Sequence, residues 1–286
     1  MSKKIFIYIF LILYLLWVLV PYYFLIIISL MTHSDLISMP PKLFITNIYL
    51  NRYIKLFTGQ GEVHSLVPGI ENVLPGFWNA LGNSLIFSFS SVIINILFGS
   101  TISYSIARLH FMEKRLLSLV LLGQIVISIG LMIPLYIMLS NLKLINTWIG
   151  IILTNSSHLL PFTIWVLTNF FKEIPVEIEE AAIIDGCDKI RMLYTIILPL
   201  SGPGLIAVGI SVFIYSWGNL MIPLILTSKK ELTTLPLFIA NLTGHYAKDF
   251  ALMATIGSLT ALPPVLLAFF LQKYMVKGLT AGAIKG

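Results

Sequence analysis

The chain has 286 residues, 58% of them hydrophobic and 10% charged, whereas ordinary soluble domains carry roughly 25% charged residues; that balance excludes a conventional soluble domain. The net charge of +6 needs no nucleic acid, because basic residues flanking membrane helices face anionic lipid and no compact basic patch is present. Cys187 is the only cysteine, which excludes an intrachain disulfide.

Six stretches hold no Asp, Glu, Lys or Arg: residues 5–34, 72–107, 116–142, 144–171, 192–228 and 250–272. Each exceeds the approximately 20 apolar residues that a helix needs to cross about 30 Å of hydrocarbon. Backbone amides in lipid must bond internally, so such segments form helices or one closed barrel. Barrel strands are about half as long and alternate in polarity. The sequence therefore predicts an all-α integral membrane protein with six transmembrane helices near residues 6–31, 80–107, 117–139, 148–171, 202–226 and 251–272.

Lys3 and Lys4 precede the first apolar run as they would in a secretory signal. The run is too long for a signal core of about 7–15 residues, so it reads as a membrane helix. A long segment, residues 32–79, follows with Pro40, Pro41, Pro68 and Pro75 as breakers. In the second span Gly99, Ser103 and Ala107 recur every four residues, the spacing of close helix packing. The fourth span carries Asn155, Ser156, Ser157 and His158, then Pro161, Trp165 and Asn169. Polar groups at membrane depth either line a path or hold helices together; Asn155, Ser156, His158, Trp165 and Asn219 are the candidates for a solute path.

An even number of crossings puts both termini on one side. If that side is the cytoplasm, its segments hold Lys3, Lys4, Arg108, Lys114, Arg115, Lys172, Lys189, Arg191, Lys273, Lys277 and Lys285, 11 of the 18 basic residues. Basic bias favours that orientation. Residues 172–201 are then the one substantial cytoplasmic loop. Pro175 suits a first helical turn. Glu177, Glu179 and Glu180 suit the positive end of the helix dipole. Gly186 supplies a stop with positive φ. A second short helix is expected from about residue 188 to 197, limited by Pro199. The loop reads as a helix-turn-helix anchored between two spans.

Glu180, Ala181, Ala182, Gly186, Ile196, Leu198 and Pro199 fit the pattern E-A-A-x3-G-x9-I-x-L-P. This resembles the EAA motif of permease subunits in binding-protein-dependent ABC importers. "LPFTIWVLTNFFKEIPVEIEEAA" (160–182), "SWGNLMIPLIL" (216–226), "GNSLIFS" (82–88) and the ending "KYMVKGLTAGAIKG" (273–286) are similar to the carbohydrate-uptake branch, specifically its maltose-type permease subunit. Residues 58–76 form a longer stretch than the resemblance leads one to expect.

The resemblance implies three parts: residues 1–79 as an N-terminal span with an extracytoplasmic segment, 80–275 as the permease core, and 276–286 as a cytoplasmic tail. It implies that the motif residues, with Asp185, couple to an ATPase. It also implies that the tail, through Gly278, Leu279, Thr280, Gly282 and Lys285, reaches that ATPase. The expected partners are a dimer of ATP-binding subunits, a second homologous permease, an extracytoplasmic solute-binding protein and membrane lipid. ATP and Mg belong to the partner, and no cofactor or metal is expected in this chain.

G-x-x-x-x-G-K-[ST] is missing, so the chain has no P-loop of its own; H-E-x-x-H and G-x-S-x-G are missing too. A secondary transporter or channel would call for Asp, Glu or Arg within the spans, and the six stretches hold none. A membrane-embedded enzyme is disfavoured because His158 is the only imidazole well inside a span and has no carboxylate nearby. The alternative within the class is an importer for a polyol, glycerol phosphate or an oligopeptide.

Overall fold

The computed structural model describes residues 2–39, 42, 44, 47–60, 75–108, 132–242 and 249–281. Their regular structure is entirely helical: α1 (Ser2–Leu30), α2 (His33–Leu36), α3 (Asn51–Thr58), α4 (Gly76–Arg108), α5 (Met132–Asn141), α6 (Trp148–Glu173), α7 (Val176–Ile184), α8 (Lys189–Leu200), α9 (Gly202–Gly218), α10 (Met221–Leu226), α11 (Leu235–Asn241) and α12 (Phe250–Ala281). By length and composition α1, α4, α6 and most of α12 can each cross a membrane, and α8 with α9, bent by 83°, makes up to a fifth crossing.

Of the third expected span, 117–139, only the part from Met132 onward is described, within α5; the remainder lies outside the described residues. The fifth expected span, 202–226, is not one helix. It breaks after Gly218 and resumes at Met221. Asn219 is extended at the break, with ψ 112°, and its Oδ1 accepts from the Ile222 amide at 3.1 Å. Pro223 has no amide to donate to the Asn219 carbonyl one turn back, so an unbroken helix would lose that bond anyway. The stretch expected as a tail begins as helix, because α12 runs on to Ala281.

The chain divides into two compact units, residues 1–80 with 237–263, and residues 81–236 with 264–286. In the first, the end of α1 is sealed by α3. Arg52 is 1% exposed; its Nη1 donates to the carbonyl oxygens of Met31 at 2.8 Å and Ser29 at 3.4 Å. The guanidinium lies 4.9 Å from the centre of the Tyr49 ring. A cation there satisfies carbonyls that a helix C-terminus leaves open and meets the negative end of its dipole. Tyr53 bridges Ser29 and Ser258, both at 2.8 Å.

In the second unit α6 lies at the centre. Leu159, Leu167 and Phe171 of α6 pack with Tyr104 and Ala107 of α4, Ala182 of α7, Met192 and Ile197 of α8, and Val208 of α9 in one apolar core. The periodic small residues of α4 act as the spacing predicts. A Cβ on Gly99 would sit 2.4 Å from Thr163 Cγ2, and Ser103 Oγ donates to the Ile164 carbonyl at 3.1 Å.

Candidate functional site

Two sites follow from this frame, both in the second unit. The first is the elbow formed by α7, the Gly186 turn and α8. Pro175 is the N-cap of α7, one position before the first helical residue. Glu177 and Glu179 occupy the first turn, where carboxylates meet the helix dipole.

At the far end Gly186 has φ +78°. Its amide donates to the Ile183 carbonyl at 3.0 Å, and the Cys187 amide donates to the Ala182 carbonyl at 2.9 Å. These paired bonds define a Schellman ending, and only glycine enters its left-handed position without strain. Asp188 Oδ1 then accepts from the Arg191 amide at 2.9 Å and caps α8.

α8 does not stop before Pro199 as expected. A π turn at Leu193–Ile197 carries the helix through the proline, whose missing amide would interrupt an ordinary ladder. The chain turns instead at Ser201, and Gly204 lets α9 close on α6: a Cβ there would lie 2.6 Å from the Phe170 ring.

Of the motif residues, Glu180, Ala181, Gly186 and Pro199 are exposed, as is Asp185 beside them, Ala182 is buried, and Ile196 and Leu198 are half-buried. Ile183, Ile184 and Ile190 project at the tip, exposed by 55%, 86% and 71%. Apolar side chains this exposed on a stiff element are features of a contact surface.

The neighbouring carboxylate, Glu179, is the buried one, at 6% exposure. Tyr104 donates to its Oε2 at 2.8 Å and Arg108 Nε to its Oε1 at 2.6 Å. Arg108 Nη2 lies 2.5 Å from the same Oε1 and donates to the Ile174 carbonyl at 3.2 Å. Sequence reasoning missed this trio. Its signal was present: Tyr104 and Arg108 are four apart on the last turn of α4 and so share a face.

The second site is a cavity of about 510 Å³ at the break between α9 and α10, lined by Met132, His158, Tyr215 and Asn219 among others. Ligand pockets span roughly 300–1,000 Å³, and broken helices inside membranes are where solute sites form. His158 Nε2 and the Tyr215 hydroxyl are 2.7 Å apart.

Of the five residues proposed for a solute path, the structure brings His158 and Asn219 to this cavity. Asn155 is fully buried behind it, donating to Ser91 Oγ at 2.8 Å and Ser216 Oγ at 2.7 Å and accepting from Asn219 Nδ2 at 3.2 Å. It binds α4, α6 and the α9 break together. Ser156 is buried, whereas Trp165 is 40% exposed; neither lines the cavity. Tyr215 was missed, although it precedes Asn219 by one helical turn.

The expected tail contacts Gly278, Leu279 and Thr280 fall on the last turns of α12, and Gly282 and Lys285 lie outside the described residues. Among the described residues no cluster of three or more potential metal ligands occurs.

Comparison with known proteins places this geometry. Residues 1–281 match the family model described as "Binding-protein-dependent transport system inner membrane component". The chain is similar to the trehalose transport system permease protein SugB of Mycobacterium tuberculosis, 36% identical over 213 residues, covering 73% of this chain and 78% of that protein. It is also similar to the arabinooligosaccharides transport system permease protein AraQ of Halalkalibacterium halodurans, 32% identical over 211 residues, covering 73% and 75%.

In fold it is similar to a chain in the crystal structure of a bacterial ABC transporter involved in the import of the acidic polysaccharide alginate, with a TM-score of 0.76 at 19% identity over 96% of each chain. A helical, membrane-embedded chain that matches this model along nearly its whole length belongs to the family of inner membrane components of binding-protein-dependent transport systems.

Proposed function

We propose that the chain is the permease subunit of an ATP-driven importer and that, with a second permease, it forms the path for a carbohydrate delivered by an extracytoplasmic binding protein. The observation that carries this is the elbow: the E-A-A-x3-G pattern is folded into a glycine-closed corner with three isoleucines at its exposed tip, fixed between the long apolar helix α6 and the shorter apolar helix α9.

Such a corner transmits force from a soluble partner to the helices it joins. A dimer of ATPase subunits, which holds the ATP and Mg that this chain has no motif to bind, is the partner that would supply it. Glu180, Asp185 and the isoleucine tip form the docking face; Ile196, Leu198 and Pro199 stiffen its return into α9. The elbow and both termini then lie in the cytoplasm, with six crossings in all, and the end of α12 with Lys285 beyond it continues toward the ATPase.

The carbohydrate reading rests on two supports. Relatives are named for trehalose and arabinooligosaccharide transport. The cavity offers an imidazole, a phenol and an amide on an otherwise apolar wall, the mixture that suits hydroxyl groups and the apolar face of a sugar ring.

Purification of the intact assembly from native membranes, with identification of every subunit and of the ligand eluted from the binding protein, is the test. An ATPase and a saccharide-loaded binding protein are expected. An assembly without an ATPase removes the importer reading, and a binding protein loaded with a polyol or glycerol phosphate removes the carbohydrate assignment.

A further inference from the structure

The elbow has two covalent exits, into α6 through Ile174 and Pro175 and into α9 through Ser201. α4 has none, yet its last turn grips the elbow. Arg108 reaches the α7 carboxylate of Glu179 and, with Nη2, the carbonyl of Ile174 at the joint between α6 and α7. Tyr104 takes the second oxygen of the same carboxylate. Both carboxylate oxygens are thus held from one helix.

A buried ion pair adds little net stability over apolar packing but is costly to break from one side, and its best-attested use is fixing register. A crevice of about 320 Å³ lies between Glu173, Ile174, Pro175 and Ile178 on one wall and Leu200, Ser201 and Pro203 on the other. Held at Glu179 and at the Ile174 joint by the last turn of α4, the elbow has a polar link to a helix to which it is not covalently joined.

We propose that Arg108 and Glu179 are positioning residues that carry movement of the elbow to α4, so that the second span answers the ATPase through this ion pair rather than through its packing on α6. The proposal rests on the importer reading. α6 is the competing route, since Gly99 and Ser103 of α4 pack against it, and a demonstrated response is needed to choose between them.

The test uses the complete assembly in lipid nanodiscs, with Cys187→Ser as background and a nitroxide label at one of two positions. Phe98→Cys, where Phe98 is 54% exposed, reports on α4; Val176→Cys, where Val176 is 47% exposed and lies outside the docking face, reports on the elbow. Spectra are recorded with and without ATP and vanadate. The probes are Arg108→Glu, Glu179→Arg, the double swap and Tyr104→Phe.

The elbow label responds to nucleotide in all of them. The α4 label responds in the parent and in the double swap, and in each single reversal its nucleotide-driven population falls about tenfold, within the 5–150-fold range of ordinary coupling. Tyr104→Phe gives an intermediate loss. If either reversal prevents assembly, Arg108→Lys and Glu179→Gln take its place, with the same ordering expected.

An α4 label that answers nucleotide equally well with the pair broken, or a double swap that restores nothing, overturns the proposal. An elbow label blind to nucleotide in the parent overturns the importer reading instead, and the proposal with it.

Discussion

Replacement of Gly186 tests whether the elbow acts as a fixed corner. The residue sits at φ +78°, and a Cβ built there meets no atom within 4 Å. Steric collision is therefore absent, and the whole cost lies in the backbone. A left-handed conformation costs an ordinary L-residue about 1–2 kcal/mol, equivalent to roughly a 5–30-fold shift in population. Asn tolerates this region better than Ala, and β-branched Val tolerates it worst. Uptake per ATP hydrolysed should fall in the order Gly, Asn, Ala, Val, while the amount of chain in the membrane stays near the parent level, because only the bonds from Gly186 and Cys187 to α7 are strained. Uptake and ATP hydrolysis by the reconstituted assembly provide the assay, with membrane content measured by immunoblot. A Val variant that couples as well as the parent, or an Asn variant worse than Val, would refute the claim that the left-handed corner matters.

Other substitutions separate packing from coupling. Gly204→Ala brings a Cβ within 2.6 Å of the Phe170 ring; overpacking of this kind costs typically 1–3 kcal/mol, so thermal aggregation in detergent should begin at lower temperature. Asn155→Leu removes the three hydrogen bonds that join Ser91, Ser216 and Asn219. At about 0.6 kcal/mol for each interhelical bond in a membrane, the loss is about 2 kcal/mol, read as a lower Tm in detergent. The Asp35 carboxyl is held below its usual range, first by Lys42 and then by Thr32. A depressed folded pKa means that the unfolded segment binds the extra proton, so this contribution is present above the ordinary Asp value of about 3.9 and disappears as pH falls through the lower folded value. Hydrogen exchange at residues 33–38 should accelerate over that acidic window, and Lys42→Met should move the acceleration to higher pH.

The long helices were legible because a run without charges has few alternatives in lipid, and the elbow was legible because E-A-A-x3-G fixes a spacing and its glycine a backbone conformation. Adjacent carboxylates were not. Glu179 and Glu180 differ by about 100° around α7, and only the arrival of Tyr104 and Arg108 from a distant part of the chain decides which one is buried. The break at Asn219 was written in Pro223, but an unbroken apolar stretch masked it. Asn155 has the right chemistry to touch a solute, yet it is committed to Ser91 and Ser216, partners more than sixty positions away, which no local pattern displays. α8 passes Pro199 because a π turn shifts its ladder, an accommodation that composition does not announce.

Ahead of the end that Arg52 and Tyr53 hold, α1 is bare along most of its length. Over Lys4–Leu30 its most apolar window is only 6% buried, and Phe6 and Trp17 are 72% and 80% exposed. Most of its surface therefore adjoins hydrocarbon or another polypeptide, and exchanges among Leu, Ile, Val and Phe between residues 5 and 23 leave the architecture of this chain untouched. What governs those positions is admission to the bilayer: Leu15→Asp at the helix centre costs about 2.5–3.5 kcal/mol in translocon insertion, so the first helix can drift in spelling but not in oiliness.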